Sequence, residues 1–379
     1  MEQRRPESHS HWYHETQSTR ATQAQPLVPE AAEIEDRFLL GLAALCKNDL
    51  QETLQAAQPA LLASRDLYQL LFPQDLVTSL THTLTLYDRL STALTVAQVT
   101  SVQRLCNHYA ARLNPLSGPD SSRESNRRLT QITEYARQLA TQPTLIDEAA
   151  LQRLDEAGLT APDIITFSQV IGFVCYQARV AAGIHALLGL PVRWIPGVTI
   201  PPDAEALCFA QRPAWRPRLS AVELRYASDS QLEALTFCQP QRAVSESAWL
   251  LAHDGDALYG WSKLINELEG KITSPEGQLA AAVAARINGS PVCFYRYAPE
   301  KLRDLLQAGI EEAAASASAA DKAIIQAAAQ LTRSPERFSA AHLQPLTEAG
   351  FSQPQIFNVI FSTALAAWNN RLMQSLGAG

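Results

Sequence analysis

The sequence repeats itself at a spacing of 192 residues, and no other feature constrains the fold as strongly. Leu-Gln-Arg-Leu-Asp-Glu-Ala-Gly at 151–158 is matched by Leu-Gln-Pro-Leu-Thr-Glu-Ala-Gly at 343–350. This register predicts a duplicated domain whose two halves are related by pseudo-symmetry. It continues without a gap through the pairs Gln138/Gln330, Leu139/Leu331, Pro143/Pro335, Pro162/Pro354, Ile164/Ile356, Tyr176/Trp368 and Arg179/Arg371.

The residues at the repeated positions indicate helices. Gly158 and Gly350 each follow a short helical pattern, where the residue after a helix commonly takes left-handed geometry. Pro162 and Pro354 suit the first turn of the helix that follows. That helix is apolar on several sides, so we expect it to be buried. From Glu30 onward, apolar residues recur mostly at three- and four-residue steps, and Ala, Leu and Gln are abundant. The predicted fold class is therefore all-α.

A proline-rich segment divides the chain. Residues 191–218 contain six prolines together with Trp194 and Trp215. The prolines exclude long helices, and the tryptophans indicate that the segment packs against the protein. We predict that this linker joins a first helical repeat at 29–190 to a second at 219–379. Residues 1–28, rich in Gln, His, Thr, Arg and Ser, are predicted to be a flexible polar arm.

Charge and cysteine spacing narrow the possible partners. The net charge of −7 (31 Lys and Arg against 38 Asp and Glu) argues against nucleic acid, which binds basic surfaces. No uninterrupted apolar run reaches the roughly 18–20 residues that span a bilayer, and the N-terminus lacks the apolar region of a signal peptide. The nearest two of the six cysteines are 30 residues apart, which fits reduced thiols better than disulfides or zinc ligands. We predict a cytoplasmic protein without a membrane, metal or cofactor.

The second half contains a candidate thiol site. A helix over 278–287 is broken by Asn-Gly, and Ser290 and Pro291 can begin the next helix. Ser290, Cys293 and Tyr297 then lie within a narrow arc of one face. The Ser290 hydroxyl could accept a bond from the Cys293 backbone N–H, and a helix N-terminus favours a thiolate. The alternative is that these residues are a cap, a small buried thiol and core packing.

Four segments carry a family resemblance: 251–254 (Leu-Ala-His-Asp), 278–281 (Gln-Leu-Ala-Ala), 288–293 (Asn-Gly-Ser-Pro-Val-Cys) and 368–377 (Trp-Asn-Asn-Arg-Leu-Met-Gln-Ser-Leu-Gly). Together they resemble the carboxymuconolactone decarboxylase/AhpD-like superfamily, and more narrowly its two-repeat, peroxidase-related branch. The resemblance extends over nearly the whole chain beyond the arm. It implies that the two repeats are AhpD-like helical domains, of which the second carries the site.

The resemblance implies roles for four positions, and three of them are changed. AhpD-like enzymes reduce peroxides with a CxxC pair, while a Glu and a His relay the proton. The second cysteine of that pair falls on Cys293 and the first on Ser290. The His position carries Tyr297 and the Glu position Gln278. Because Gln is no base and an ordinary Tyr is a poor one, only a one-cysteine cycle with an external thiol reductant remains chemically possible. In the first repeat, 106–109 (Cys-Asn-His-Tyr) is interpreted as a degenerate, mostly structural copy.

Each repeat also places one arginine inside its apolar helix. A buried guanidinium needs a carboxylate or carbonyl partner. Arg179 and Arg371 are therefore interpreted as members of inter-helix ion pairs or, alternatively, as binding groups for an anion in a cleft.

Three functions remain open at this point. The leading hypothesis is a weak alkylhydroperoxidase-like thiol oxidoreductase acting on a small peroxide or thiol at Cys293. The second is a non-catalytic binding or assembly protein that has lost the proton relay. The third, a decarboxylase-like activity, rests on the resemblance alone. Because helical repeats of this kind associate to bury apolar faces, we also predict a homodimer.

Overall fold

The computed structural model describes residues 34–194, 197–241 and 243–378, and these form an all-α protein. The predicted fold class is thus confirmed. Within these ranges the strands are two residues long: β1 (Arg216–Pro217) pairs antiparallel with β2 (Gly377–Ala378). The predicted arm at 1–28 lies outside the described residues.

The first half of the chain folds into helices joined by short turns. Thr85 and Thr160 each begin a helix with a capping box, in which the threonine and the Asp three residues later exchange hydrogen bonds with the backbone. The helices are α1 (Leu42–Leu45), α2 (Asn48–Ala56), α3 (Gln58–Leu71), α4 (Leu86–Thr100), α5 (Gln103–Leu113), α6 (Arg123–Thr141), α7 (Glu148–Glu156) and α8 (Ala161–Leu187), with a 3-10 helix at Pro143–Leu145.

The second half of the chain is also built from helices. Its helices are α9 (Asp229–Cys238), α10 (Ala248–Leu251), α11 (Gly255–Ile272), α12 (Pro275–Asn288), α13 (Pro291–Tyr297), α14 (Glu300–Ala308), α15 (Ile310–Ser316), α16 (Ala319–Arg333), α17 (Ala340–Glu348) and α18 (Gln353–Leu376). Further 3-10 helices lie at Ala206–Phe209, Leu224–Tyr226, Ala252–Asp254 and Pro335–Arg337.

Helices α8 and α18 pack against each other along the centre of one hydrophobic core that draws residues from both halves. Glycine lets them approach closely: a Cβ on Gly172 would lie 2.0 Å from the Trp368 ring, and one on Gly183 would lie 2.3 Å from Ile360. The Trp368 indole N–H donates to Gln169 across the same contact, at 2.9 Å. The two longest helices are thus fixed to each other by shape and by a buried hydrogen bond.

Helix boundaries recur at the spacing seen in the sequence. Adding 192 to the bounds of the 3-10 helix Pro143–Leu145 and of α7 gives the bounds of Pro335–Arg337 and α17. Helices α6 and α16 end, and α8 and α18 begin, at the same spacing. Gly158 and Gly350 have φ of 89° and 87°, the left-handed geometry predicted for them. These elements follow the predicted periodicity, while duplication of a whole domain and the boundaries of the repeats stay predictions.

The segment predicted to be a linker packs against both halves at its C-terminal end. The Trp215 indole N–H donates to the Met373 carbonyl at 2.9 Å, and Arg218 donates to the carbonyls of Ile146 and Gln374. Trp194 is 49% exposed, so the expectation of two packed tryptophans is met only by Trp215.

Helix α8 is the one helix in the described ranges that is long and apolar enough to cross a membrane by length and composition. Its most apolar 18-residue window is 89% buried inside the protein. That burial is typical of a core helix in a globular protein, and the pattern by itself is weak evidence for a membrane span.

Candidate functional site

The backbone around the candidate thiol follows the predicted pattern. Helix α12 ends at Asn288, and Gly289 turns the chain with φ of 76°, a left-handed conformation that glycine adopts without strain. Ser290 precedes α13, which begins at Pro291. The Asn-Gly break and the proline start were therefore read correctly from the sequence.

The predicted cap is wrong in one respect. The Ser290 hydroxyl accepts no hydrogen bond from a backbone N–H of α13, so it does not cap the helix. It lies instead close to the Cys293 side chain, where it acts to lower the pKa of Cys293. The hydroxyl oxygen is buried and has no hydrogen-bond partner among the described residues, which helix periodicity does not reveal.

Cys293 is sealed inside the protein. Only 1% of the residue is exposed, and it belongs to the hydrophobic core together with Phe294. Burial is the largest influence on its thiol and raises the pKa, while the positive charge of Arg296 and the nearby Ser290 side chain oppose it. The negative charge of Glu246 raises the pKa further. The net direction is upward, so the thiol is protonated at neutral pH.

The other predicted relay positions do not supply a base. Burial raises the pKa of Tyr297, and the Arg296 charge only partly offsets this. The Gln278 amide donates to the Thr273 carbonyl at 3.1 Å, near the start of α12. His253, on the 3-10 helix Ala252–Asp254, pairs with the Ser220 carbonyl at 2.8 Å. Within the described residues, no hydrogen bond joins any of these three side chains to Cys293.

An exposed thiol lies close to the same helix start. Cys208 is exposed on the 3-10 helix Ala206–Phe209, and with Ser290 and Met373 it lines a surface cavity of about 220 Å³. The cavity walls include Ser290 but not Cys293. Sequence reasoning treated Cys208 as one scattered thiol among six, and only the path of the linker reveals its position.

In the first half, Cys106 is partly buried and His108 is buried. Burial raises the pKa of Cys106 to about 12. The buried His108 ring pairs with the Tyr68 hydroxyl at 2.6 Å, and its edge packs against the Tyr109 ring. These contacts agree with the interpretation of 106–109 as a degenerate copy.

The two buried arginines do not form the inter-helix ion pairs first expected of them. In the part of the chain that the structure describes, neither contacts a carboxylate within ion-pair distance. Arg179 donates to the carbonyls of Cys175 at 2.9 Å and Thr332 at 2.7 Å. The reason is position: Thr332 lies in the last turn of α16, where carbonyls have no partner within their own helix and attract positive charge.

Arg371 repeats this arrangement with the halves exchanged. It donates to the carbonyl of Ala367 on its own helix at 2.7 Å and to that of Ala140, in the last turn of α6, at 2.6 Å. Ala367 lies 192 residues after Cys175, the acceptor on the helix of Arg179 itself. Ala140 lies 192 residues before Thr332, the acceptor in the other half. Each half therefore donates an arginine to the helix end of the other half.

A small cavity lies between the two arginines and the linker. Its volume is about 60 Å³, and residues 198–202 form part of its wall. Arg179 is 3% exposed and Arg371 1%. Burial, and then the neighbouring Arg371 charge, lower the pKa of Arg179 to about 10, which leaves it charged at neutral pH. The cavity wall thus includes two buried guanidinium groups, those of Arg179 and Arg371.

In the described ranges, no group of three or more His, Cys, Asp or Glu side chains could hold a metal ion. In comparisons with known proteins, no family model and no curated protein matches this chain. The resemblance to AhpD-like proteins therefore rests on the residues quoted above, and the function must be inferred from the geometry.

Proposed function

We propose that this chain is a non-catalytic binding protein built on an AhpD-like scaffold, in which Cys293 is a structural thiol. The observation that carries the proposal is the burial of Cys293, with a raised pKa and no base bonded to it among the described residues. Peroxide reduction starts from an accessible thiolate, and this sulfur is neither accessible nor ionised at neutral pH.

A positive observation supports binding. The cavity beside Arg179 and Arg371 is polar, charged and separate from the thiol, since its walls include neither Cys293 nor Ser290. Buried charge is unfavourable unless it is compensated. A cavity that retains two guanidinium groups is a plausible place for a ligand, whereas the thiol region is filled by core packing.

One-cysteine thiol chemistry at Cys293 is the second candidate function. It is favoured by the surface cavity of about 220 Å³ that reaches Ser290. The nearby Ser290 side chain and the charge of Arg296 also both act to lower the Cys293 pKa. A small opening of α13 would expose the sulfur to that cavity.

The two functions are separated by peroxide turnover. Wild type, Cys293→Ser and the matched control Cys208→Ser are incubated with hydrogen peroxide or cumene hydroperoxide and dithiothreitol. We expect all three to consume peroxide at the same rate, and we expect dimedone to label the exposed Cys208 but not the buried Cys293. Peroxide consumption that disappears only in Cys293→Ser, with a dimedone adduct on Cys293, would replace the binding proposal by the peroxidase one.

A further inference from the structure

The walls of the cavity between Arg179 and Arg371 contain unpaired donors. Three buried polar atoms there lack a hydrogen-bond partner among the described residues: Nε of Arg179, Nε of Arg371 and Nδ2 of Asn288. All three are N–H donors, and Asn288 is 6% exposed. Buried polar groups in native proteins are nearly always paired, so three unpaired donors on residues of one cavity wall indicate a missing acceptor.

The carbonyls that accept hydrogen bonds from the two arginines do not pair with these three donors. Each guanidinium has five N–H bonds, and one on each terminal nitrogen goes to a carbonyl. The Nε–H of each arginine is left without a partner among the described residues. The missing partner must therefore be rich in acceptors and must tolerate two adjacent positive charges.

The charges around the cavity favour an anion. Arg333, also in its wall, is already paired with Asp203 at 2.8 Å and with Glu311 at 3.0 Å. Glu336 is the one carboxylate in the described wall, and it contacts Arg337 at 3.3 Å. The Glu336 charge also acts on Arg179, but neither Arg179 nor Arg371 has a carboxylate within ion-pair distance among the described residues. A cation in the same place would be repelled by both guanidinium groups.

The volume of the cavity limits the kind of anion that fits. A water molecule needs roughly 10–15 Å³ of such volume. The cavity of about 60 Å³ therefore holds several waters or one compact ion. Guanidinium groups match the oxygens of phosphate-like ions with paired N–H bonds, which a spherical halide cannot accept in the same way. A volume of about 60 Å³ leaves little room for an organic tail.

We propose that Arg179, Arg371 and Asn288 bind one free, doubly charged tetrahedral oxyanion of the phosphate or sulfate class between the two halves of the chain. This gives the proposed binding function its ligand class and rests on that function. The two can fail separately, because turnover at Cys293 would not alter oxyanion binding, and absence of oxyanion binding would not create turnover.

The proposal is tested by calorimetric titration of the full chain with sodium sulfate and sodium phosphate, against sodium chloride at matched ionic strength. We expect one oxyanion per chain and no comparable binding of chloride. Arg179→Gln and Arg371→Gln should each weaken sulfate binding by about tenfold or more, because each removes a charge-assisted hydrogen bond.

Arg218→Gln is the matched control. Arg218 also donates to helix-end carbonyls, those of Gln374 and Ser375, but it lines the other cavity beside Ser290. This variant should bind sulfate within about twofold of wild type, since a distant charge acts through solvent. Equal binding of sulfate and chloride by wild type, or unchanged binding in both cavity variants, would overturn the site and leave the arginines as helix caps only.

A measurement on wild type tests the proposal even if the variants fail to fold. Arginine side-chain Nε–H resonances are followed by NMR during the sulfate titration. Two of them should shift together and saturate at the stoichiometry found by calorimetry, and chloride should not shift them. Titration without any saturating Nε–H shift would also overturn the proposal.

Discussion

The Cys293 region and the Arg179/Arg371 cavity are both buried, yet burial has opposite chemical results in the two places. Burial raises the pKa of Cys293, so the thiol avoids the cost of a buried charge by remaining protonated. Arg179 stays charged at neutral pH even though its pKa falls to about 10. The comparison teaches that a group able to lose its charge can be packed in hydrocarbon, whereas one that cannot must be surrounded by acceptors.

The acceptors at the cavity come from the fold itself. Helices α6 and α16 end there, and their last carbonyls carry the partial negative charge of a helix C-terminus. Arg371 and Arg179 each donate to one of these carbonyls, Ala140 and Thr332. The arginines therefore connect the two halves by hydrogen bonds, while Cys293 is buried in the hydrophobic core.

The largest expected effect is on the free energy of unfolding, which should fall more when an arginine of the cavity is replaced than when Cys293 is replaced. Arg371→Met removes two short hydrogen bonds from a buried cation and leaves the Ala140 carbonyl unpaired, which should lower the free energy of unfolding by about 3 kcal/mol. Cys293→Ser should cost only about 1 kcal/mol, because its volume and neighbours are nearly unchanged. Urea denaturation followed by circular dichroism measures both.

Arg225→Met provides the control for that experiment. The Arg225 side chain is 69% exposed, and its removal should change stability by less than about 0.5 kcal/mol. A cost for Arg371→Met no greater than that for Cys293→Ser would contradict the view that the arginines hold the halves together.

The next effect concerns pH. Since burial raises the pKa of Cys293, the folded state holds its proton above about pH 8.5, where an unfolded thiol loses it. Stability from this source is complete below that pH and declines as pH rises toward the folded pKa, by at most about 1.4 kcal/mol per unit.

The measurement compares wild type with Cys293→Ala at several pH values from 7 to 10. The difference in unfolding free energy between them should be constant up to about pH 8 and then fall, because the other buried thiols and tyrosines cancel in the comparison. A difference that stays constant through pH 10 would mean that Cys293 ionises as readily in the folded protein as in the unfolded chain, and is therefore accessible.

How much the sequence could predict differs between the two regions. Turn residues are local signals, so Gly158, Gly350 and the Asn-Gly break before Ser290 correctly located helix ends. The surroundings of Cys293 were harder, because whether a helix N-terminus is open or packed depends on the linker that crosses it. Periodicity placed Ser290 and Cys293 on one face but could not tell a backbone cap from a side-chain contact.

The partners of the arginines could not have been read from local sequence at all. The carbonyl that Arg179 contacts is 153 residues away, and the one that Arg371 contacts is 231 residues away. The need for a partner was predictable from burial alone. The choice of a helix end over a carboxylate was not, since it follows from where α6 and α16 stop in three dimensions.

The smallest effect is a coupling between the two arginines. The Arg371 charge helps to lower the pKa of Arg179, so the two guanidinium groups repel each other when no anion lies between them. Removing either one loses its carbonyl bonds but also relieves this repulsion. Each single variant is therefore less destabilised than the lost bonds alone would make it.

A double-mutant cycle makes the repulsion visible. Each single variant, Arg179→Met or Arg371→Met, relieves the repulsion, so the sum of the two single effects contains this relief twice. The double variant relieves the repulsion only once. The double variant should therefore lose more unfolding free energy than the sum of the two singles, by about 0.5–1 kcal/mol. Saturating sulfate should reverse that sign, because an anion held by both arginines makes their contributions cooperative. A coupling that is unaffected by sulfate would separate the helix-capping role of the arginines from ligand binding, and a coupling of zero would place the two charges too far apart to share one ion.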